Sequence, residues 1–168
     1  MLLSSKRLRA ALASLLLVAG LAVAAPAMAD EGISPFDGHD DSHFTFDLGV
    51  NGAGTTAGTG GEAKSETSPL MIYPTSITFD QCWVYGEGSV GRYGPWASGS
   101  SLTIGGHGIV YSWDTGHRLI LRTNIREYGY SFARLTAYQS SQAGRMAGVW
   151  SPDSYEQSED IVINAGYR

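Results

Sequence analysis

The chain has 168 residues, 43% of them hydrophobic and 16% charged, with 22 Gly, 6 Pro, a single Cys and a formal net charge of −5. This composition excludes a disulfide scaffold, a zinc ribbon, a charged disordered tail and a membrane bundle, and the length sets a limit of one domain.

Met1 to Arg9 carries Lys6, Arg7 and Arg9, an apolar run follows from Ala10 to Ala25, and Pro26-Ala27-Met28-Ala29 comes next. These are the three parts of a secretory signal in order, which predicts cleavage between Ala29 and Asp30. The apolar run falls short of the roughly 20 residues that span a bilayer, so no stable membrane anchor is expected. The expected localisation is extracellular, or periplasmic in a host with two membranes. Removal of residues 1–29 leaves 8 basic and 16 acidic side chains.

Residues 30–42 are acidic and aperiodic, with Pro35 and two Gly, and are expected to form a flexible leader. Within it and at its edge, His39, Asp41 and His43 are candidate metal ligands, because imidazole and carboxylate suit Zn or Cu. The opposing reading is a solvated leader in which nothing fixes ligand geometry, and no cofactor is expected.

Residues 43–168 read as an antiparallel β-sandwich or small barrel. Phe44, Phe46 and Leu48 share one parity from His43 to Leu48, the signature of a half-buried strand. Residues 49–66 have the Gly/Thr-rich composition of a mobile loop. Leu70 to Tyr73, Ile77 to Tyr85, Leu102 to Ile104, Ile109 to Trp113, Leu119 to Ile125 and Ser131 to Tyr138 are rich in β-branched and aromatic residues, which predicts strands. Asp114-Thr115-Gly116 suits a hairpin loop between two of them. Short connections leave no room for crossover helices.

Cys82 lies in an apolar strand pattern and is expected to be buried, the alternative being an intermolecular bridge. Gly86-Glu87-Gly88-Ser89-Val90-Gly91 matches G-x-G-x-x-G in letter only, because Arg92-Tyr93-Gly94-Pro95 denies it the helix a dinucleotide site needs. Trp83, Tyr85, Tyr93, Trp96, Tyr111 and Trp113 cluster in sequence. They suit either a sugar-stacking platform or the filling of a core between two sheets.

Charge is uneven: six Arg between Arg92 and Arg145 lie between acidic flanks. Arg118, Arg122, Arg126 and Arg134 are therefore candidates for binding an anionic partner such as a cell-wall polymer, or else pair with the flanking carboxylates. Nucleic acid is excluded as a partner by the net negative charge and the exported destination. Near the end, Ser151-Pro152-Asp153-Ser154 reads as a turn with Trp150 as its anchor, so Trp150, Ser151 and Asp153 are further binding candidates.

The string Gly148-Val149-Trp150-Ser151-Pro152-Asp153-Ser154 occurs with Phe44-Thr45-Phe46, with Glu127-Tyr128-Gly129-Tyr130-Ser131 and with the export signal. Together they resemble a family of small exported Gram-positive proteins of unknown function. That resemblance implies a secreted β-rich module and supplies no catalytic residue. A second resemblance is to lactococcin-type bacteriocins, through Trp83-Val84-Tyr85-Gly86, Tyr111-Ser112 with His117, and Ala147-Gly148-Val149-Trp150. It implies an antibacterial protein, with longer spacing here between the first two pieces. The favoured expectation is a non-enzymatic protein that binds a cell-envelope polymer or an extracellular partner. The alternatives are a bacteriocin-like toxin and a secreted enzyme or metal-binding protein.

Overall fold

A computed structural model describes residues 41–50, 52–164 and 166. The expected signal segment and most of the leader, including His39, lie outside the described residues.

The alternation of Phe44, Phe46 and Leu48 becomes strand β1 (Ser42–Leu48), which turns all three side chains into the core. Nine strands follow: β2 (Thr56–Gly58), β3 (Glu62–Ala63), β4 (Leu70–Ile77), β5 (Gln81–Ser89), β6 (Gly108–Tyr111), β7 (Leu119–Leu121), β8 (Phe132–Gln139), β9 (Gly144–Ser151) and β10 (Ile161–Val162). One helical turn, α1 (Gly99–Leu102), and a 3₁₀ turn at Ser112–Asp114 complete the elements.

Two sheets pack face to face, as expected for an all-β sandwich. The first has the order β1-β9-β4-β7-β10, and the second has β2-β8-β5-β6, with β3 also on the edge of β8. Phe46, Leu48, Leu70, Ile72, Leu121 and Trp150 from the first sheet meet Cys82, Val84, Val110 and Leu135 from the second, all at most 1% exposed. The first sheet also buries Met71, Ile120 and Val149 of the opposite parity. The outer face of the second sheet carries exposed Trp83 and Tyr138 instead.

Several local expectations are corrected. Residues 49–66 are not loop throughout: β2 and β3 pair with β8, and the Thr59 amide donates to the Leu135 carbonyl at 2.8 Å. Its Gly and Thr content serves edge pairing as well as turning. The run from Ile77 to Tyr85 is broken, because Phe79 enters the core at 1% exposure while the chain passes from the first sheet to the second. Asp114-Thr115-Gly116 closes no hairpin, since β6 and β7 belong to different sheets. The Asp114 carboxylate accepts the Tyr111 amide at 2.8 Å and holds the 3₁₀ turn that redirects the chain. Leu119 to Ile125 is strand only as far as Leu121.

Leu102 to Ile104 forms the end of α1 and a single bridge from Thr103 to Thr123. Strand β6 covers only Gln81 to Val84 of β5, so this segment satisfies the exposed edge beyond. The Thr103 hydroxyl accepts the Gly86 amide at 2.9 Å, and the Ala97 amide donates to the Gly88 carbonyl at 2.8 Å. The pairing is not wholly antiparallel either: β10 runs parallel to β7.

Candidate functional site

Burial decides first what cannot be a contact surface. Trp150 is 1% exposed, Ser151 1%, Asp153 2% and Ser154 1%, so the turn expected at the surface is an interior lock. Its partner is Lys64, whose side chain is fully buried and whose Nζ donates to Asp153 Oδ1 at 2.9 Å. The same ammonium donates to the carbonyls of Ser68 at 2.6 Å and Pro152 at 2.7 Å, which uses its three protons. Asp153 further accepts the Ser65 amide at 2.7 Å, the Ser65 hydroxyl at 2.9 Å, the Ser68 hydroxyl at 3.0 Å and the Glu66 amide at 3.3 Å. Burial pushes the Asp153 carboxyl up, but the Ser65 and Lys64 donors outweigh it and hold the group below the ordinary carboxylate range. Burial lowers the Lys64 value against the pull of Asp153. In the sequence Lys64 is distinguished only as the one Lys or Arg between Asp30 and Gly91.

Three of the four candidate arginines pair with flanking carboxylates. Arg118 meets Asp160 at 2.6 Å with both side chains largely buried, and it also donates to Ser154 Oγ and to the Tyr155 carbonyl. Arg122 engages both oxygens of Glu156, at 2.7 and 3.1 Å. Arg134 engages Glu87 at 2.5 Å and lies over the Trp96 ring, 4.8 Å from its centroid. Arg126 donates to the Tyr130 carbonyl and to Ser131 Oγ. The structure does not gather these four into one cationic patch.

Of the candidate metal ligands, Asp41 sits half-buried just before β1 and His43 is exposed on it. Among the described residues no group of three or more His, Cys, Asp or Glu side chains is placed to hold a metal ion.

The outer face of the second sheet is open and carries aromatic side chains. In β5 the even residues Cys82 and Val84 point inward, so Gln81, Trp83, Tyr85 and Glu87 point outward. The register places Tyr138 beside Trp83, Thr136 beside Tyr85 and Arg134 beside Glu87 on β8. On β6 it places Tyr111 beside Gln81. Trp83 is 40% exposed and Tyr138 37%. Tyr138 stands edge-on to Tyr85 at 5.0 Å, and the His107 ring lies 5.1 Å from Trp83 and 6.2 Å from Tyr85. At the end of the row Trp113 stacks on Tyr111 at 4.4 Å and 9°. The aromatic cluster noticed in the sequence is therefore split between surface and packing roles, with Trp96 committed to Arg134.

Segment 98–100 forms a wall beside this row. At Gly99 a Cβ would come within 2.5 Å of the Tyr85 Cβ, so only glycine allows the backbone to lie so close. The wall and sheet enclose a cleft of about 230 Å³ lined by Tyr85, Glu87, Ser98, Gly99, Ser100 and Tyr138. Burial and the neighbouring Tyr138 raise the Tyr85 phenol above its ordinary value, so it is neutral and able to donate. Beside Tyr85 the Thr136 hydroxyl is buried without a hydrogen-bond partner.

The profile of one protein family, described as a protein of unknown function (DUF2712), matches residues 26–154. No curated protein matches the chain. No solved structure matches it either.

Proposed function

We propose that this chain, which belongs to the DUF2712 family of proteins of unknown function, is a secreted, non-enzymatic binding protein. Its target is the cell envelope or an extracellular partner, and its contact surface is the aromatic outer face of the second sheet. The observation that carries this reading is the row of Trp83, Tyr85 and Tyr138, with two of the three rings more than one-third exposed on the outer face of paired strands. Large aromatic rings left in water on rigid elements mark contact surfaces, because their burial by a partner releases apolar area at little entropic cost. The signal-like N-terminus supports the extracellular setting. The pairing of Arg118, Arg122 and Arg134 with carboxylates argues against an anionic polymer as the principal target.

Co-sedimentation of the purified protein with isolated bacterial envelopes, at low and high salt, tests the reading. Binding is expected to survive high salt, because ring contacts are not screened as exposed charges are. The Trp83→Ala and Tyr138→Ala proteins, shown to be folded by circular dichroism, are expected to lose about tenfold or more in affinity. Binding that vanishes with salt and ignores both substitutions would overturn it.

A further inference from the structure

Resting on that reading, we propose that the ligand of the aromatic face is a neutral glycan chain lying along β5. Three independent features point the same way. Successive outward side chains on a strand recur about every 6.5–7 Å, so Trp83, Tyr85 and Glu87 form a linear track and not a round pocket. The Tyr111 and Trp113 stack extends the row at the Gln81 end. A linear track of ring faces suits an extended polymer whose apolar faces repeat, and pyranose rings present such C–H faces.

The cleft beside the track then supplies what the rims of those sugars require. Ser98 and Ser100 share a hydroxyl hydrogen bond at 3.0 Å that can be exchanged for a ligand hydroxyl. Glu87 is held through Oε2 by Arg134 at 2.5 Å and lines the cleft as a further acceptor. The Tyr85 hydroxyl adds a neutral donor. On β8 the Thr136 hydroxyl, buried and without a hydrogen-bond partner, is the cross-strand neighbour of Tyr85 and lies outside the lining of the cleft.

Charge selects the class of glycan. The ionised groups on this face, Glu87 and Arg134, compensate each other, so the track presents no net charge to a phosphate or uronate. The mixture of exposed ring faces and hydroxyls likewise suits a sugar better than an acyl chain, which has no use for the polar rim.

The test separates this assignment from the broader reading. Envelopes are treated with periodate, which cleaves vicinal diols of sugars, or with protease, and each is then incubated with the folded protein. Periodate is expected to lower binding by about tenfold or more and protease to leave it unchanged. Neutral oligosaccharides of the gluco, manno and galacto series are titrated in parallel, while the Trp83 indole signal is followed by NMR. At least one series is expected to shift it. Ser100→Trp, a substitution at an exposed position that fills the cleft and removes no core contact, is expected to abolish that shift.

Loss of envelope binding after protease with retention after periodate would overturn the glycan and leave the aromatic face in place as a protein-binding surface. Absence of any indole shift at millimolar sugar would overturn the glycan by itself. Envelope binding that vanishes with salt and ignores both Trp83→Ala and Tyr138→Ala would instead remove the broader reading.

Discussion

At the scale of single residues the decisive pair is Lys64 and Asp153. Two charges taken out of water carry a desolvation cost, and here every proton of the ammonium and both carboxylate oxygens are matched by hydrogen bonds. Removing one partner strands the other, so Asp153→Asn is expected to lower stability by about 3–5 kcal/mol at neutral pH in chemical denaturation. Because the folded-state value of Asp153 is held below its ordinary 3.8, its stabilisation is complete above that value. It is lost as pH falls through the folded-state value. A plot of midpoint temperature against pH should therefore fall on the acid side for the natural chain and be flatter for Asp153→Asn; parallel curves would contradict this. The sequence places Asp153 in a local turn, and the backbone amides its carboxylate accepts lie far from that turn. They belong to Ser65 and Glu66, 88 and 87 positions away, a distance that no local pattern encodes.

At the scale of elements, strands were legible where alternation was strong, as in β1 and β8, and illegible where glycine interrupts it. Strand β9 is central in the first sheet, yet Gly144 and Gly148 dilute its apolar pattern. Short β10 could not be foreseen, because two residues carry no period. The G-x-G-x-x-G string shows the converse, a visible motif whose purpose is packing. Gly88 faces inward against the Tyr130 ring, where a Cβ would lie 2.8 Å from its nearest ring atom. Gly88→Ala is accordingly expected to destabilise the protein by about 1–3 kcal/mol, with no change in ligand affinity once folding is saturated. Equal stability of the two proteins in urea would refute that packing role. The candidate site was partly legible too: Trp83, Tyr85, Tyr111 and Trp113 stood out by composition. Tyr138, His107 and Thr136 join them only through strand register and a neighbouring loop.

At the scale of the whole molecule, the thiol reports on integrity. Cys82 is fully buried at an inward position of β5, as its apolar surroundings predict, and burial together with the Asp114 charge pushes its thiol above the ordinary range. A thiol reagent should leave the native protein unmodified and label it only as fast as the fold opens, so labelling should accelerate in step with denaturant. Rapid stoichiometric labelling of native protein would show an opening that the sandwich does not contain. The charge asymmetry belongs to this scale as well. It was plain in the sequence, but whether the arginines face a partner or the chain's own acids depends on tertiary pairing across 34 to 47 positions, as in Arg122 with Glu156 and Arg134 with Glu87.

The pairing of β1 with β9 also constrains the order in which the fold can be completed. Asp47 finds Arg145 across 98 positions, and Lys64 finds Asp153 across 89. A chain that emerges N-terminus first from a ribosome therefore exposes Phe44 and Phe46 long before the strand that covers one side of them exists. Contacts of such separation form slowly. The first sheet stays incomplete until β9 is free, so Phe44 and Phe46 remain uncovered on that side while β2 to β8 are being made.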